Sequence, residues 1–292
     1  MSRALVLRHG PLAFSALERG RGPLVLLLHG FPDTPNTWQL QLGTLADAGY
    51  RAVAVAMRGY EPSSQPADGN YQLTALADDV AAWIEQLGET RVHLVGHDWG
   101  AAVGYATAAR HASRIASLTA LAVPPAPGFA AQMLRSPIQI WRSRYILRFQ
   151  RADAAERLRA HDFAWLEALW RSWSPGWDVP AEQLASAKRQ FALPGVVEAA
   201  LAWYRQGVDS RTDAGKASRA LAAASVPVPT LAAGGLDDAC VGARVFRRSF
   251  NAASFPAGLR LEQLEDAGHF VHLEQPARFN ALLLDWLRAH SR

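Results

Sequence analysis

The stretch Val95–Ala101, which reads VGHDWGA, constrains the fold of this chain more than any other segment. It follows the apolar run 92–95 and opens a helix-like run that extends to Ala109. The glycines at 96 and 100 permit a sharp turn in which backbone atoms come too close for larger side chains. A strand, a tight turn and a helix in this order predict a nucleophile elbow with Asp98 at its apex. The alternative is that Asp98 only caps the helix.

Apolar runs alternate with helix-like segments along residues 1–125 and 225–292, and eight of these runs are of strand length. Such alternation predicts a mostly parallel sheet wrapped by helices. Residues 126–224 carry helical periodicity and no clear strand. We therefore predict an α/β fold with an eight-stranded sheet, in which residues 1–125 and 225–292 form the core domain and residues 126–224 form an inserted helical cap.

Composition excludes several classes of function. Of the 292 residues, 50% are hydrophobic and 19% are charged, which is typical of an ordinary globular protein. The net charge of +4 comes largely from scattered arginines without a dense basic block, so we expect no nucleic-acid partner. The single Cys240 excludes an intramolecular disulfide, and the N-terminus lacks a long apolar segment. We expect a cytoplasmic protein that is not embedded in a membrane.

Two further loops supply the groups that an elbow nucleophile needs. The segment 266–270 follows the last strand and contains His269, while the segment 234–238 follows the preceding strand and ends in two aspartates. In chains with this elbow, the acid precedes the histidine. We predict that His269 is the catalytic base and that Asp238 orients it, with Asp237 as the alternative.

A second turn, His29-Gly30-Phe31-Pro32, ends another predicted strand at the same edge of the sheet. Backbone N–H groups beside such turns stabilise negative charge on oxygen. We predict that the N–H groups of Phe31 and Trp99 form the oxyanion hole. The residues that we place in the substrate pocket are His29, Pro32, Trp141 and Phe270.

An aspartate at the apex of the elbow restricts the reaction. A carboxylate that attacks an ester only forms an anhydride, whereas its attack on an sp3 carbon gives an alkyl ester that water can cleave. The attacked carbon must then carry a leaving group, either a strained epoxide oxygen or a halide. His269 would activate the water that attacks the carbonyl carbon of the Asp98 ester.

Two tyrosines in the predicted cap favour the epoxide. Tyr145 belongs to the helical stripe Ile138, Trp141, Tyr145 and Phe149, and Tyr204 belongs to a second stripe. The alternative is that both tyrosines only pack against apolar neighbours. A phenol can donate a proton to the alkoxide that an opening epoxide forms. A halide instead needs N–H donors, and Phe31 has no side-chain donor.

These segments together resemble the epoxide hydrolases of the α/β-hydrolase superfamily over nearly the whole chain. The resemblance implies that Tyr145 and Tyr204 clamp the epoxide oxygen. One departure is the Asp237-Asp238 pair, where the family usually has a single obvious aspartate. The segments that carry the resemblance are His29-Gly30-Phe31-Pro32, Asp98-Trp99, Arg144-Tyr145, Phe149-Gln150, Trp203-Tyr204-Arg205 and Ala267-Gly268-His269-Phe270.

We therefore predict a hydrolase that converts a small apolar epoxide and water to a vicinal diol, without a cofactor or a metal. A haloalkane dehalogenase with the same nucleophile and a ligand-binding homologue without activity are the alternatives. We expect His97 to be a packed or hydrogen-bonded residue and His272 to lie on a helix face, and Cys240 has no partner at the spacing of metal ligands. The sequence leaves the oligomeric state and the particular epoxide open.

Overall fold

A computed structural model describes residues 2–291 of the chain and contains one eight-stranded sheet. The order of the strands across the sheet is β1-β2-β4-β3-β5-β6-β7-β8. β2 pairs antiparallel with β1 and β4, and all other neighbours pair in parallel, which confirms the predicted fold class. The strands are β1 (Arg3–His9), β2 (Leu12–Arg19), β3 (Leu24–Leu28), β4 (Arg51–Val55), β5 (Val92–His97), β6 (Ile115–Leu121), β7 (Thr230–Gly235) and β8 (Leu259–Leu264).

Helices accompany the sheet, and α4 to α10 lie between β6 and β7 in the chain. No strand interrupts this helical segment in the described part of the chain, 2–291. Its assignment as a separate cap domain remains a prediction. The α-helices are α1 (Gln39–Asp47), α2 (Leu73–Gln86), α3 (Trp99–Arg110), α4 (Ala126–Met133), α5 (Pro137–Arg142), α6 (Arg144–Phe149), α7 (Ala154–Trp173), α8 (Ala181–Phe191), α9 (Val196–Gly207), α10 (Asp213–Ala222), α11 (Ala243–Arg248), α12 (Val271–Glu274) and α13 (Pro276–His290), and short 3-10 helices span Pro35–Trp38, Pro62–Ser64, Ala112–Arg114 and Ala252–Ser254.

The central strands are buried on both faces. All five residues of β3 are buried, and so are all six residues of β5. A strand covered on both faces gains from apolar side chains at every position, which explains the unbroken aliphatic run of β3. The loops after β3 and β5 leave this core at the same edge, because the two strands are parallel neighbours. The sheet therefore brings the His29 turn and the Asp98 elbow together.

The last helical segment, 270–290, is broken where the sequence pattern predicts one helix. α12 ends at Glu274 and α13 begins at Pro276, because proline lacks the N–H that would continue the first helix. The carboxylate of Glu274 accepts hydrogen bonds from the N–H groups of Gly268 and Phe270. The break thus leaves Glu274 at the end of α12, where these hydrogen bonds hold the loop around His269.

Within residues 2–291, none of the helices combines the length and the apolar character needed to cross a lipid bilayer.

Candidate active site

Asp98 lies at the turn between β5 and α3 in a backbone conformation that is rare for a residue with a side chain, with φ of 52° and ψ of −118°. Glycines make this turn possible. A Cβ atom at Gly100 would lie 2.2 Å from the carbonyl oxygen of Leu28, and one at Gly96 would lie 2.2 Å from the carbonyl oxygen of Gly100. The Asp98 side chain makes no capping hydrogen bond to α3. Its carboxylate is therefore directed away from the helix.

Three side chains from different loops line up at this edge of the sheet. His269 Nε2 lies 3.6 Å from Asp98 Oδ2, and His269 Nδ1 lies 3.0 Å from Asp238 Oδ2. The other oxygen of Asp238 accepts hydrogen bonds from the N–H groups of Cys240 and Val241. All three aligned side chains are buried. This arrangement can orient an imidazole toward the Asp98 carboxylate.

The structure distinguishes between Asp237 and Asp238, the two aspartates that the sequence offers as the acid that orients His269. Asp237 is exposed, and its backbone N–H donates to the carbonyl oxygen of Ala267. Asp238 is buried and its carboxylate contacts the His269 ring. Only Asp238 is thus in place to hold the ring, although its catalytic role remains a prediction.

The buried charges affect one another. Burial alone raises the pKa of Asp98, but the nearby positive charge of His269 and the hydrogen bond from the Phe31 N–H outweigh it and hold that pKa below its ordinary value. Burial lowers the pKa of His269, whereas the negative charges of Asp238 and Asp98 raise it to about 10. In the unliganded site, Asp98 is therefore a carboxylate and His269 is an imidazolium.

One predicted donor of the oxyanion hole reaches the carboxylate. The N–H of Phe31 donates to Asp98 Oδ1 over 2.8 Å. In the described residues, no hydrogen bond joins the N–H of Trp99 to this carboxylate. Oδ1 is therefore held by the backbone, and Oδ2 is the oxygen that faces His269.

The residues that flank Gly30 and Phe31 hold this loop in place through hydrogen bonds. His29 Nδ1 donates to the carbonyl oxygen of Gly30, and His29 Nε2 accepts from the N–H of Met57. Burial lowers the pKa of His29 to about 4, so the ring is neutral. The carbonyl oxygen of Pro32 accepts a hydrogen bond from the indole of Trp170, which in turn stacks on the Phe270 ring with 3.8 Å between centroids. These contacts fix the position of the Phe31 N–H.

Two buried tyrosines from the helical segment approach this site. Tyr145 lies on α6 and Tyr204 on α9, with 5.9 Å between their ring centroids. The Tyr204 ring packs edge-on against Phe31, whose N–H binds Asp98, and against Trp99, which follows Asp98 in the chain. Burial, reinforced by the charge of Asp98, raises the pKa of both phenols well above 10. Both hydroxyls therefore keep their protons and can act as donors.

The two hydroxyls have different surroundings. The Tyr145 hydroxyl lies 3.8 Å from Cys240 Sγ, whose pKa is raised by burial, so the thiol is also protonated. The Tyr204 hydroxyl is buried without a hydrogen-bond partner among residues 2–291. An unsatisfied buried donor is costly, so a ligand oxygen would be stabilised there.

Trp141 does not join the buried site. Its side chain is 62% exposed, and the guanidinium carbon of Arg144 lies 3.6 Å from its ring centroid. The sequence pattern predicts one helix that carries Ile138, Trp141, Tyr145 and Phe149. The structure instead divides this stretch at Ser143 into α5 and α6, so the stripe is broken and its first two members face solvent.

An outer cleft of about 420 Å³ extends from Trp141 to Tyr145. It is lined by Trp141 and Trp165 at the outside and by Tyr145 and Trp173 further in. The Trp173 ring in turn contacts His269, with 5.1 Å between centroids. The cleft therefore leads from solvent to residues that touch the aligned side chains.

Sequence reasoning missed a polar cluster behind His269. Asp33, His97 and His272 are buried, and each offers one possible ligand atom within 4.8 Å of those of the other two. Asp33 Oδ2, His97 Nδ1 and His272 Nδ1 have no hydrogen-bond partner within residues 2–291. Within that part of the chain, this is the group of side chains close enough to share a metal ion or a water. Burial raises the pKa of Asp33 to about 7. Asp33 follows the Phe31 turn directly, a position that could have drawn attention to it.

Comparisons with known proteins agree with this architecture. Residues 23–276 match the family described as the alpha/beta hydrolase fold, and the chain belongs to this family. It is 33% identical over 305 residues to epoxide hydrolase A of Mycobacterium tuberculosis, with 91% of this chain and 90% of the relative covered. It is also 31% identical over 280 residues to the AB hydrolase superfamily protein YfhM of Bacillus subtilis, with 95% and 94% covered.

A solved structure gives the same result in three dimensions. The crystal structure of epoxide hydrolase A from Mycobacterium thermoresistibile superposes with a TM-score of 0.81 at 28% identity, covering 99% of this chain and 98% of that one. The fold class and the resemblance to epoxide hydrolases that the sequence predicts are thereby confirmed.

Proposed function

We propose that this protein is an epoxide hydrolase that opens a small apolar epoxide to a vicinal diol through a covalent ester on Asp98. The observation that carries the proposal is the environment of one carboxylate. Asp98 Oδ1 is held by the Phe31 N–H, Oδ2 faces His269, and two protonated tyrosines lie close enough to feel the charge of this carboxylate. The names of the relatives agree with this reaction. It requires neither a cofactor nor a metal, and we place the enzyme in the cytoplasm.

In the first step, Asp98 Oδ2 attacks an epoxide carbon. The new C–O bond forms as the strained ring C–O bond breaks, and the released oxygen takes a proton from Tyr145 or Tyr204. A phenol is a suitable acid here, because the alkoxide that develops is a far stronger base than a phenolate. The helices of residues 126–224 would act as a cap that carries both tyrosines.

In the second step, water cleaves the ester. Esterification removes the negative charge of Asp98, which is one of the charges that raise the pKa of His269. The pKa of His269 then falls, so the ring can pass its proton to the tyrosinate left by the first step and become a base. It takes a proton from a water that attacks the ester carbon, while the carbonyl oxygen Oδ1 receives the developing charge beside the Phe31 N–H. The bond between that carbon and Oδ2 then breaks, Oδ2 leaves as a protonated hydroxyl of the diol, and the water oxygen stays in the restored Asp98 carboxylate beside a protonated His269.

The outer cleft beside α5 and α6 supplies a route for the substrate. Its aromatic lining favours an apolar epoxide, and it ends at Tyr145 and Trp173. Trp141 would therefore contact the substrate as it enters the cleft, and not at the reacting carbon.

The proposal is tested by Asp98→Asn. The variant should lose all diol formation from a panel of epoxides, since an amide is a poor nucleophile, while wild-type protein releases diol. Chromatography of the products measures this. Halide release from haloalkanes without turnover of epoxides would instead identify a dehalogenase, and binding without turnover of either class would identify a ligand-binding homologue.

The two adjacent aspartates provide a matched pair of variants. Asp238→Asn should lower kcat by about 10²- to 10⁴-fold, because the carboxylate no longer orients the imidazole. Asp237→Asn should leave kcat close to that of wild type, since this side chain is exposed. Steady-state kinetics on one epoxide measures both. Equal losses in the two variants, or a loss in Asp237→Asn alone, would contradict the assignment of the acid.

A further inference from the structure

A second cleft, of about 440 Å³, lies where α4 and α5 meet α11. Among the described residues, 2–291, four arginines line it and no aspartate or glutamate does. Arg135 and Arg142 come from the helical segment, and Arg244 and Arg248 come from α11. We call this feature the arginine cleft. It is distinct from the outer cleft that leads to Tyr145, although Ile138 and Arg142 border both.

No carboxylate of residues 2–291 forms an ion pair with an arginine of this cleft. Many exposed arginines of this chain have a carboxylate partner, for example Arg171 with Glu167 and Arg189 with Glu182. Among the ion pairs of residues 2–291, none involves an arginine of the cleft. Arg244 and Arg248 are also four positions apart on α11, where like charges repel each other. An anion in the cleft would relieve this repulsion.

The wall of the cleft is already ordered. Gln139 is fully buried, donates to the carbonyl oxygen of Cys240 and accepts from the N–H of Gly242. Arg142 is confined, because a Cβ atom at Gly242 would lie 2.5 Å from its Nη1 atom. The same Nη1 donates to the carbonyl oxygen of Asp238 over 3.4 Å. At least one guanidinium is therefore held in place before any ligand arrives, which reduces the entropy that binding would cost.

We propose that the arginine cleft binds a small phosphate-bearing molecule with several negative charges. Guanidinium groups suit phosphate oxygens, which they can bind with two parallel hydrogen bonds. The volume lies within the usual range for small-molecule sites, about 300 to 1,000 Å³. A nucleic acid would require basic residues along an extended track. Here four arginines without an ion-pair partner in residues 2–291 surround one cleft, so a compact polyanion fits better.

Inorganic triphosphate is a suitable probe, with ATP as a second one. Isothermal titration calorimetry at constant ionic strength should show saturable binding of one triphosphate per wild-type chain. The double variant Arg244→Ala/Arg248→Ala should bind triphosphate at least about tenfold more weakly, because two charged contacts are lost. Arg21→Ala serves as the matched control, since Arg21 is exposed and unpaired within residues 2–291 but lies in the loop between β2 and β3. It should bind like wild type.

Several outcomes would overturn the proposal. One is the absence of saturable triphosphate binding by wild-type protein. Another is a loss of triphosphate affinity in Arg21→Ala equal to that in the alanine double variant. A third is tighter binding of a single-stranded RNA oligonucleotide than of triphosphate. The double variant Arg244→Lys/Arg248→Lys keeps the charge and the fold. It should retain part of the affinity, whereas undiminished binding by the alanine double variant would place the ligand elsewhere. The test measures binding alone, so its result does not depend on the proposed hydrolase activity.

Discussion

His269→Gln protein mixed with an epoxide is expected to accumulate a covalent ester on Asp98. Ring opening uses the Asp98 carboxylate and the tyrosines, so it should continue in this variant. Ester hydrolysis should slow by about 10²- to 10⁴-fold, because glutamine cannot accept the proton of the attacking water. Intact-protein mass spectrometry should show an increase equal to the mass of the epoxide, and peptide mapping should place it on Asp98.

The wild-type enzyme and Asp98→Asn are the controls for this experiment. Wild type should show little adduct in the steady state if hydrolysis keeps pace with ring opening, and Asp98→Asn should show none. A His269→Gln variant that releases diol at the wild-type rate would contradict the role of His269. An adduct on a residue other than Asp98, such as the buried Cys240, would contradict the assignment of the nucleophile.

Replacement of both tyrosines by phenylalanine is expected to have a comparably large effect on the first step, in which the epoxide ring opens and the ester on Asp98 forms. Tyr145→Phe/Tyr204→Phe removes both donors near the leaving oxygen while keeping the aromatic packing with Phe31 and Trp99. The rate of ester formation should fall by about 10²- to 10⁴-fold. The rate of ester formation should fall less in each single variant, because the other tyrosine can still donate a proton.

Stopped-flow measurement of ester formation in the His269→Gln background separates ring opening from hydrolysis. The tyrosine changes should slow formation of the adduct and leave its breakdown nearly unchanged. If the two tyrosine changes leave the rate of ester formation in the His269→Gln background unchanged, the tyrosines only pack. The tyrosines would then no longer favour an epoxide over a haloalkane as the substrate.

The features that could be predicted from the sequence depend on residues that are close together in the chain. The elbow around Asp98 needs glycines at fixed positions, and the structure shows the backbone contacts that require them. The parallel sheet follows from the alternation of apolar runs and helices. Since strand ends of such a sheet gather at one edge, the approach of Asp98 to His269 could also be predicted.

Other features depend on packing that no local pattern encodes. Asp237 and Asp238 are adjacent in the same loop, and only the turn of the backbone decides which side chain faces His269. Trp141 fits a helical period in the sequence, but the break between α5 and α6 rotates it to the surface. The cluster of Asp33 and His272 with His97 joins the loop after β3, helix α12 and the end of β5, which are remote from one another in sequence.

The central claim is that an oxygen atom of Asp98 becomes an oxygen atom of the product. A single-turnover reaction in H₂¹⁸O, with enzyme in excess over an epoxide, tests it directly. We expect the first diol released to be unlabelled, because its new oxygen comes from Asp98 Oδ2, and mass spectrometry of the peptide that contains Asp98 should show one ¹⁸O atom. Label in the diol and none in that peptide would mean that water attacks the epoxide directly, and would contradict the account.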